Sequence, residues 1–374
     1  MIAALALVAC GDNTPVLGLD DVSVLFPLPS SLADDHVLAL ATPANGGPLL
    51  PEAVFDQIEV YAAHPSAERA YAAWRIVAAR LDPCFPDLAL LDDAPARCQP
   101  QLRLVAQPLI ALADGRIGAS DNAIHLLYVL SPAEFRELAT RWVAVGTART
   151  HDPTRPLGVH PELAAQGLDG AIATELRALV VAYAGPATFA KLTYVAGGNG
   201  TTWQYGGLHP EGGELVRSVI PDIGTSDPAG GTLQTTTVDA AGGFTISPSS
   251  PESAGLTVLG AARAEPHALA AAAQLSLDLD NQDVYHLDAA DCSSCHIAGR
   301  ARARSLARGM RVDDLAAYSN PAFDLALALP DAIRQAPQQQ RGFGYNGADA
   351  VWSQRAIDDS AAIADAISTM VPAP

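Results

Sequence analysis

Apolar and polar positions follow three different rhythms along the chain. Over residues 20–186 strand and helix periods are mixed. Val22-Ser23-Val24-Leu25-Phe26 alternates in part and stops at Pro27, as a strand does. Residues 51–63 and 66–79 carry helix-like spacing. Gln101 to Ala106 alternates polar with apolar side chains, the mark of a half-buried strand, and Ile124 to Leu130 is a second apolar run. Ser131-Pro132-Ala133-Glu134 then opens a helix, with Ser at the N-cap, Pro at N1 and Glu at N3. That helix runs on through Phe135, Leu138 and Trp142. Another is expected over 168–184, closed by Gly185-Pro186.

Residues 187–260 change character. Short alternating runs, Lys191 to Val195, Thr201 to Tyr205, Leu233 to Val238 and Phe244 to Ile246, are separated by Gly197-Gly198-Asn199-Gly200 and Ala241-Gly242-Gly243. This predicts a small β-sandwich or β-sheet. Residues 261–374 turn helical again, with candidate helices from His267 to Leu275, over an arginine-rich stretch after 300, from Ala322 to Leu329 and from Ala356 to Met370. The expected fold is therefore α+β and multidomain: a mixed α/β region (20–186), a β-rich module (187–260) and a helical C-terminal domain (261–374).

Composition narrows the function classes. The 374 residues hold 22 Lys+Arg against 41 Asp+Glu, a formal net charge of −19. Such a chain lacks the basic face that nucleic acid or anionic lipid selects. Lys191 is the sole lysine. Charged residues make up only 17% and hydrophobic ones 49%, which supports a folded core. No run approaches the roughly 18 apolar residues of a spanning helix. There is no Walker loop, no GxSxG and no GxGxxG before a helix. His36, His64, His125, His151, His160 and His209 are scattered, without HxxxH or HExxH spacing.

The five cysteines are more specific. Met1 to Ala9 is a short apolar run, followed by Cys10 and a polar stretch rich in turn formers. Leu7-Val8-Ala9-Cys10 resembles the lipobox of bacterial lipoproteins. The resemblance implies cleavage before Cys10, a signal peptide over 1–9, a lipidated Cys10 with a linker over 10–19, and attachment to the membrane by lipid alone. It places the protein in the envelope of a Gram-negative bacterium, on the periplasmic face or in the outer membrane. Gly11 rather than Asp follows the cysteine, which in that family leans toward the outer membrane. No Lys or Arg precedes the apolar run, a departure from the family pattern.

Cys292-Ser293-Ser294-Cys295-His296 is a single CxxCH motif and resembles the attachment site of c-type cytochromes. The resemblance implies one covalent haem c, with Cys292 and Cys295 as thioether residues and His296 as proximal iron ligand. It covers at most the last third of the chain, which is then expected to be cytochrome c-like. Met310 and His286 are the candidate distal ligands; Met/His ligation would raise the potential and His/His lower it. Tyr318, Phe323, Phe343, Tyr345 and Trp352 are candidate walls of a haem pocket or plain core. Cys84 and Cys98 remain, and an oxidising compartment implies that they pair as a disulfide, a loop worth about 3 kcal/mol. Two buried free thiols are the alternative for that pair.

Other readings of CxxCH stay open: a zinc site with His286 or an Asp as further ligand, a thioredoxin-type redox pair, or a structural disulfide. Arg300, Arg304, Arg308 and Arg311 advance by 4, 4 and 3, one helix face, with Arg302 beside them. They suit haem propionates, an acidic redox partner, or simply water. The functional expectation is a lipid-anchored envelope protein carrying one haem for electron transfer or an accessory redox role beside a protein partner. A carrier or binding lipoprotein is expected ahead of a catalyst. The alternatives are a haem-free binding or assembly lipoprotein with Cys292 and Cys295 disulfide-bonded, and a haem enzyme with an open distal site.

Overall fold

In this computed structural model the described residues are 17–63, 66–83, 99–146, 155–197, 200–221, 223, 231–239, 243–260, 265–285, 290–310, 315–325 and 342–371. A single-turn helix α1 (Leu19–Val22) leads into β1 (Ser23–Leu25). A two-strand ribbon, β2 (Pro43–Ala44) and β3 (Gly47–Pro48), and two further single turns, α2 (Glu52–Phe55) and α3 (Glu59–Ala62), follow. Then come β4 (Trp74–Asp82), β5 (Gln101–Ala111), β6 (Ile117–Ala119) and β7 (Asn122–Val129). Three helices, α4 (Pro132–Gly146), α5 (Pro161–Gln166) and α6 (Ala171–Tyr183), precede the next set of strands. That set is β8 (Phe189–Gly197), β9 (Thr202–Glu211), β10 (Glu214–Arg217), β11 (Leu233–Val238) and β12 (Phe244–Ser247). The last third holds α7 (Pro251–Thr257), α8 (Pro266–Asp278), α9 (Cys292–Ala307), the hairpin β13 (Phe343–Asn346) and β14 (Asp349–Trp352), and α10 (Gln354–Met370).

Ten of these strands form one antiparallel sheet, in the order β1-β4-β5-β7-β8-β9-β11-β12, with β6 added on β5 and β10 on β9. Its register tells the two faces apart. Successive side chains of a strand point to opposite faces. Leu102 of β5 lies opposite Tyr128 of β7, and the Tyr128 hydroxyl donates to the Leu49 carbonyl at 2.7 Å. That face carries the 40–50 segment and α6, which packs on α4. Arg103 and Gln107 point the other way. Gln107 exchanges two hydrogen bonds with the Tyr345 backbone, at 2.7 and 2.9 Å, and so docks β13 on the second face. Both faces being covered explains why β5 and β7 are buried along most of their length. Where β4 begins, Phe55, Tyr61, Tyr71 and Trp74 form an aromatic cluster with centroid separations of 5.0–5.8 Å.

The mixed α/β expectation holds, and so does the helix start at Ser131. The Ser131 N–H and hydroxyl both donate to Glu134 Oε2 (2.9 and 2.6 Å), and the Glu134 N–H donates back to Ser131 Oγ at 3.3 Å. Other expectations are corrected. Residues 74–79 belong to β4, not to a helix, because Trp74, Ile76 and Val77 suit a pleated strand and β1 and β5 flank it. Of the small sandwich and the sheet expected for residues 187–260, a sheet is found, but not a separate one: β8 pairs with β7 from Asn122↔Ala196 to Tyr128↔Phe189, so one sheet continues through position 186. The last third is not helical throughout. It includes the β13–β14 hairpin, and 322–325 is turn and coil. Of the two readings open for Tyr345, plain core holds, its hydroxyl donating to the Phe26 carbonyl at 2.6 Å.

Helix α10 is buried on nearly every side and packs on α1. Arg355, Asp358 and Asp359 therefore face inward, where a charge must be paired. Arg355 Nε lies 2.7 Å from Asp359, and Arg80 of β4 reaches the same carboxylate at 3.0 Å. Arg103 pairs with Asp82 at 2.8 Å nearby. Arg355 Nη1 also donates to the Leu279 and Tyr285 carbonyls, at 3.0 and 2.6 Å, tying α10 to the segment that follows α8. No helix among the described residues is long and apolar enough to cross a membrane.

Candidate functional site

Helix α9 begins at the CxxCH motif, and its first turn is held from three directions. Asp291 is the N-cap: Oδ1 accepts from the Ser294 N–H at 3.0 Å. Its Oδ2 accepts from the Ser250 hydroxyl at 2.5 Å, and Ser250 is itself the N-cap of α7. One carboxylate thus couples two helix starts. From the sheet, Gln234 of β11 accepts the Ser293 N–H at 2.8 Å and donates to the Pro248 carbonyl at 3.1 Å. Thr236 donates to the Ser293 hydroxyl at 2.9 Å. The N–H groups that a helix start leaves open are in this way taken up by protein at Ser293 and Ser294.

Burial around α9 separates two faces. Ser293, Ser294, Ile297, Ala298, Ala301, Arg302 and Ser305 are buried, whereas Cys292, Cys295, His296, Gly299 and Ala303 are half-buried. The second set advances by 3, 1, 3 and 4, one continuous stripe. An ordinary surface helix buries its apolar stripe and shows its polar one. Here serines and arginines face inward, and sulfur, imidazole and the two smallest side chains face the half-open side. His296 is backed by Tyr205 of β9, ring centroids 5.0 Å apart at 37°.

Cys292 and Cys295 both carry free thiols. A helix start favours the thiolate, but burial prevails here. Burial, helped by the Asp291 carboxylate and opposed by Lys191, pushes the Cys292 thiol up to about 12. Burial pushes Cys295 up to about 11, against the pull of Arg355. Burial thus disfavours a free thiolate at either sulfur; thioethers carry no charge and suit this setting. Two sulfurs one turn apart, an adjacent imidazole and small residues along the same stripe fit a flat, covalently attached macrocycle.

The other expected site residues are placed as follows. Met310 is not brought to His296. The helix runs straight on through Ala307, about 16 Å along the axis at 1.5 Å per residue. Met310 follows the closing turn at that far end, where its N–H caps the Ser305 carbonyl at 3.1 Å. Cys10 with the rest of 7–10, Cys84, Cys98, His286 and Arg311 lie outside the described residues. The arginines do not form a solvated face. Arg302 is buried against Asp280 at 2.5 Å, and Arg304 Nε donates to the Leu259 carbonyl at 3.1 Å. Arg300 is also buried.

Sequence reasoning missed Asp291, Gln234 and Tyr205. Asp291 was legible: an Asp immediately before a helical run, with the acceptor geometry of an N-cap, is a start signal. Gln234 and Tyr205 sit in strands, and only the packing of α9 on β9 and β11 shows their part. Away from α9, the consecutive residues Asp34, Asp35 and His36, the first half-buried and the others exposed, bring three possible metal-ligand atoms together among the described residues.

Compared with protein-family models, with curated proteins and with solved structures, the chain gives no match in sequence or in fold. The reading of the site rests on its own chemistry.

Proposed function

We propose that this protein carries one c-type haem, joined through Cys292 and Cys295 with His296 on the iron, and passes single electrons to a protein partner in the cell envelope. One observation carries the proposal: both thiols and the imidazole share a half-buried, small-residue stripe on a helix whose opposite face is fixed to the sheet. When bound, such a group supplies a one-electron couple whose potential follows ligation and burial. The residues of the chain hold and orient it. Cys292 and Cys295 set its edge, Tyr205 backs the His296 ring, and the Asp291, Gln234 and Thr236 bonds keep the first turn of α9 in place. The helices α8 to α10 are, in this reading, the cytochrome-like part of the fold. The envelope location is proposed with it, on the lipobox-like residues Leu7-Val8-Ala9-Cys10.

The test is expression in a periplasm with haem-maturation machinery, followed by a denaturing gel stained for covalent haem and a reduced absorption spectrum. A stained band with sharp α and β bands is expected, lost in the Cys292→Ala, Cys295→Ala double variant. A colourless chain, beside a control cytochrome that matures normally, overturns the reading and leaves a haem-free binding lipoprotein.

A further inference from the structure

Among the described residues, buried guanidinium groups have visible partners, with one exception. Arg302 pairs with Asp280, Arg355 with Asp359, and the less deeply buried Arg80 and Arg103 with Asp359 and Asp82. Arg300 is 8% exposed, its Nε has no hydrogen-bond partner, and no carboxylate among the described residues pairs with it. Its charged neighbourhood is unfavourable: burial and the like charge of Arg304 both act against the cation, and only Tyr205 acts for it. A desolvated cation left unpaired is among the costliest groups a fold can hold. The side chain is therefore placed for an anion.

Its position says which anion. His296, Arg300 and Arg304 occupy one i, i+4, i+8 row of α9. Tyr205 adjoins both ends of the first interval, its ring packed at a tilt against His296 and lying in the electrostatic reach of Arg300. A group held at Cys292, Cys295 and His296 has Arg300 one helical turn away. Guanidinium presents a planar fork of donors that matches a carboxylate. We propose that Arg300 receives a carboxylate, either a propionate of the haem held on the same helix or a small carboxylic acid from solution. The propionate source rests on the haem reading; the need for an anion does not.

Two arms on the full-length chain separate these cases. In the haem-loaded protein the reduction potential is followed across the neutral pH range for wild type, Arg300→Gln and Arg300→Lys. A propionate paired with Arg300 stays ionised, so the wild-type potential is expected to be flat with pH. Arg300→Gln lowers the potential and gives it a pH slope, because the propionate now titrates; Arg300→Lys restores the flat profile. In chain made without haem maturation, citrate is the probe. A thermal midpoint that rises with citrate in wild type but not in Arg300→Met assigns the carboxylate to solution. Without citrate, Arg300→Met itself is expected to raise the haem-free midpoint by about 2–4 °C, since it removes an unpaired buried charge. A fall in that midpoint marks Arg300 as ordinary packing and overturns the proposal. So does a Gln variant whose potential overlays wild type, combined with no citrate response. If wild type takes up no haem, the haem reading falls alone and the second arm decides for Arg300.

Discussion

Asp358 is 2% exposed, in the middle of α10, and burial pushes its carboxyl up to about 8. Asp280 and Asp359 add to the rise; the bond from Gln354 Nε2, 2.9 Å, and the charge of Arg302 oppose it. At neutral pH the group is largely the acid. The folded chain therefore holds a proton that the unfolded chain releases from the ordinary value of 3.8 upward. Its contribution to stability is complete at the acid end and is lost as pH climbs toward about 8, with no further change beyond. Asp358→Asn imitates the protonated form. Thermal midpoints measured from acid to mildly alkaline pH should decline less steeply in that variant than in wild type; parallel curves would refute the assignment. Asp358 shows what a sequence conceals. Nothing in Gln354-Arg355-Ala356-Ile357-Asp358-Asp359 distinguishes an exposed carboxylate from a buried acid, because the difference lies in burial and in Asp280 and Arg302, far away in the chain.

Among the elements, α9 depends on Asp291 more than its cysteines suggest. Asp291→Ala removes a cap worth about 1 kcal/mol and takes from the buried Ser250 hydroxyl its 2.5 Å acceptor, leaving it the Ser253 hydroxyl at 3.2 Å, for a combined loss of about 2 kcal/mol. Urea unfolding of the haem-free chain measures it, and a loss no larger than that of an ordinary surface substitution would rule out the double anchor. Legibility varied with the source of the signal. The start of α4 was fully written in Ser131 and Glu134, since a capping box is local. The motif face of α9 was legible from the spacing of Cys292, Cys295 and His296. β4 was misread because its Trp, Ile and Val positions also satisfy a helical spacing, and only pairing with β1 and β5 decides between them. The β13–β14 hairpin had a usable signal in Asn346-Gly347, where Gly347 takes φ 59°, but its aromatics drew attention as pocket walls.

At the scale of the molecule, the sheet and the C-terminal helix bind the ends of the chain together. β8 extends the edge of β7, and α10 returns to α1 and β4. A fragment ending at Pro186 would leave β7 as an unpaired edge and lose Asp359 from Arg80. It should fail to give a monomeric, cooperatively melting species by size exclusion and circular dichroism; a well-folded fragment would establish an independent N-terminal domain. Arg355→Ala tests the same integration from the other end. It leaves Asp359 short of a partner and frees the Leu279 and Tyr285 carbonyls, at an expected cost of about 3–5 kcal/mol in chemical denaturation. Apolar replacement by Leu together with Asp359→Asn should recover part of that loss.

The docking of the first turn of α9 on β11 also sets a schedule. Gln234 and Thr236 precede Cys292 in the chain, so the strands that clamp the motif are synthesised before it. Once they pair, both sulfurs are half covered and the backbone between them is fixed. On the proposed haem reading, a maturation enzyme that must reach Cys292 and Cys295 would compete with folding and have to act on the still extended chain. Weakening the clamp would lengthen that opportunity, and tightening it would shorten it.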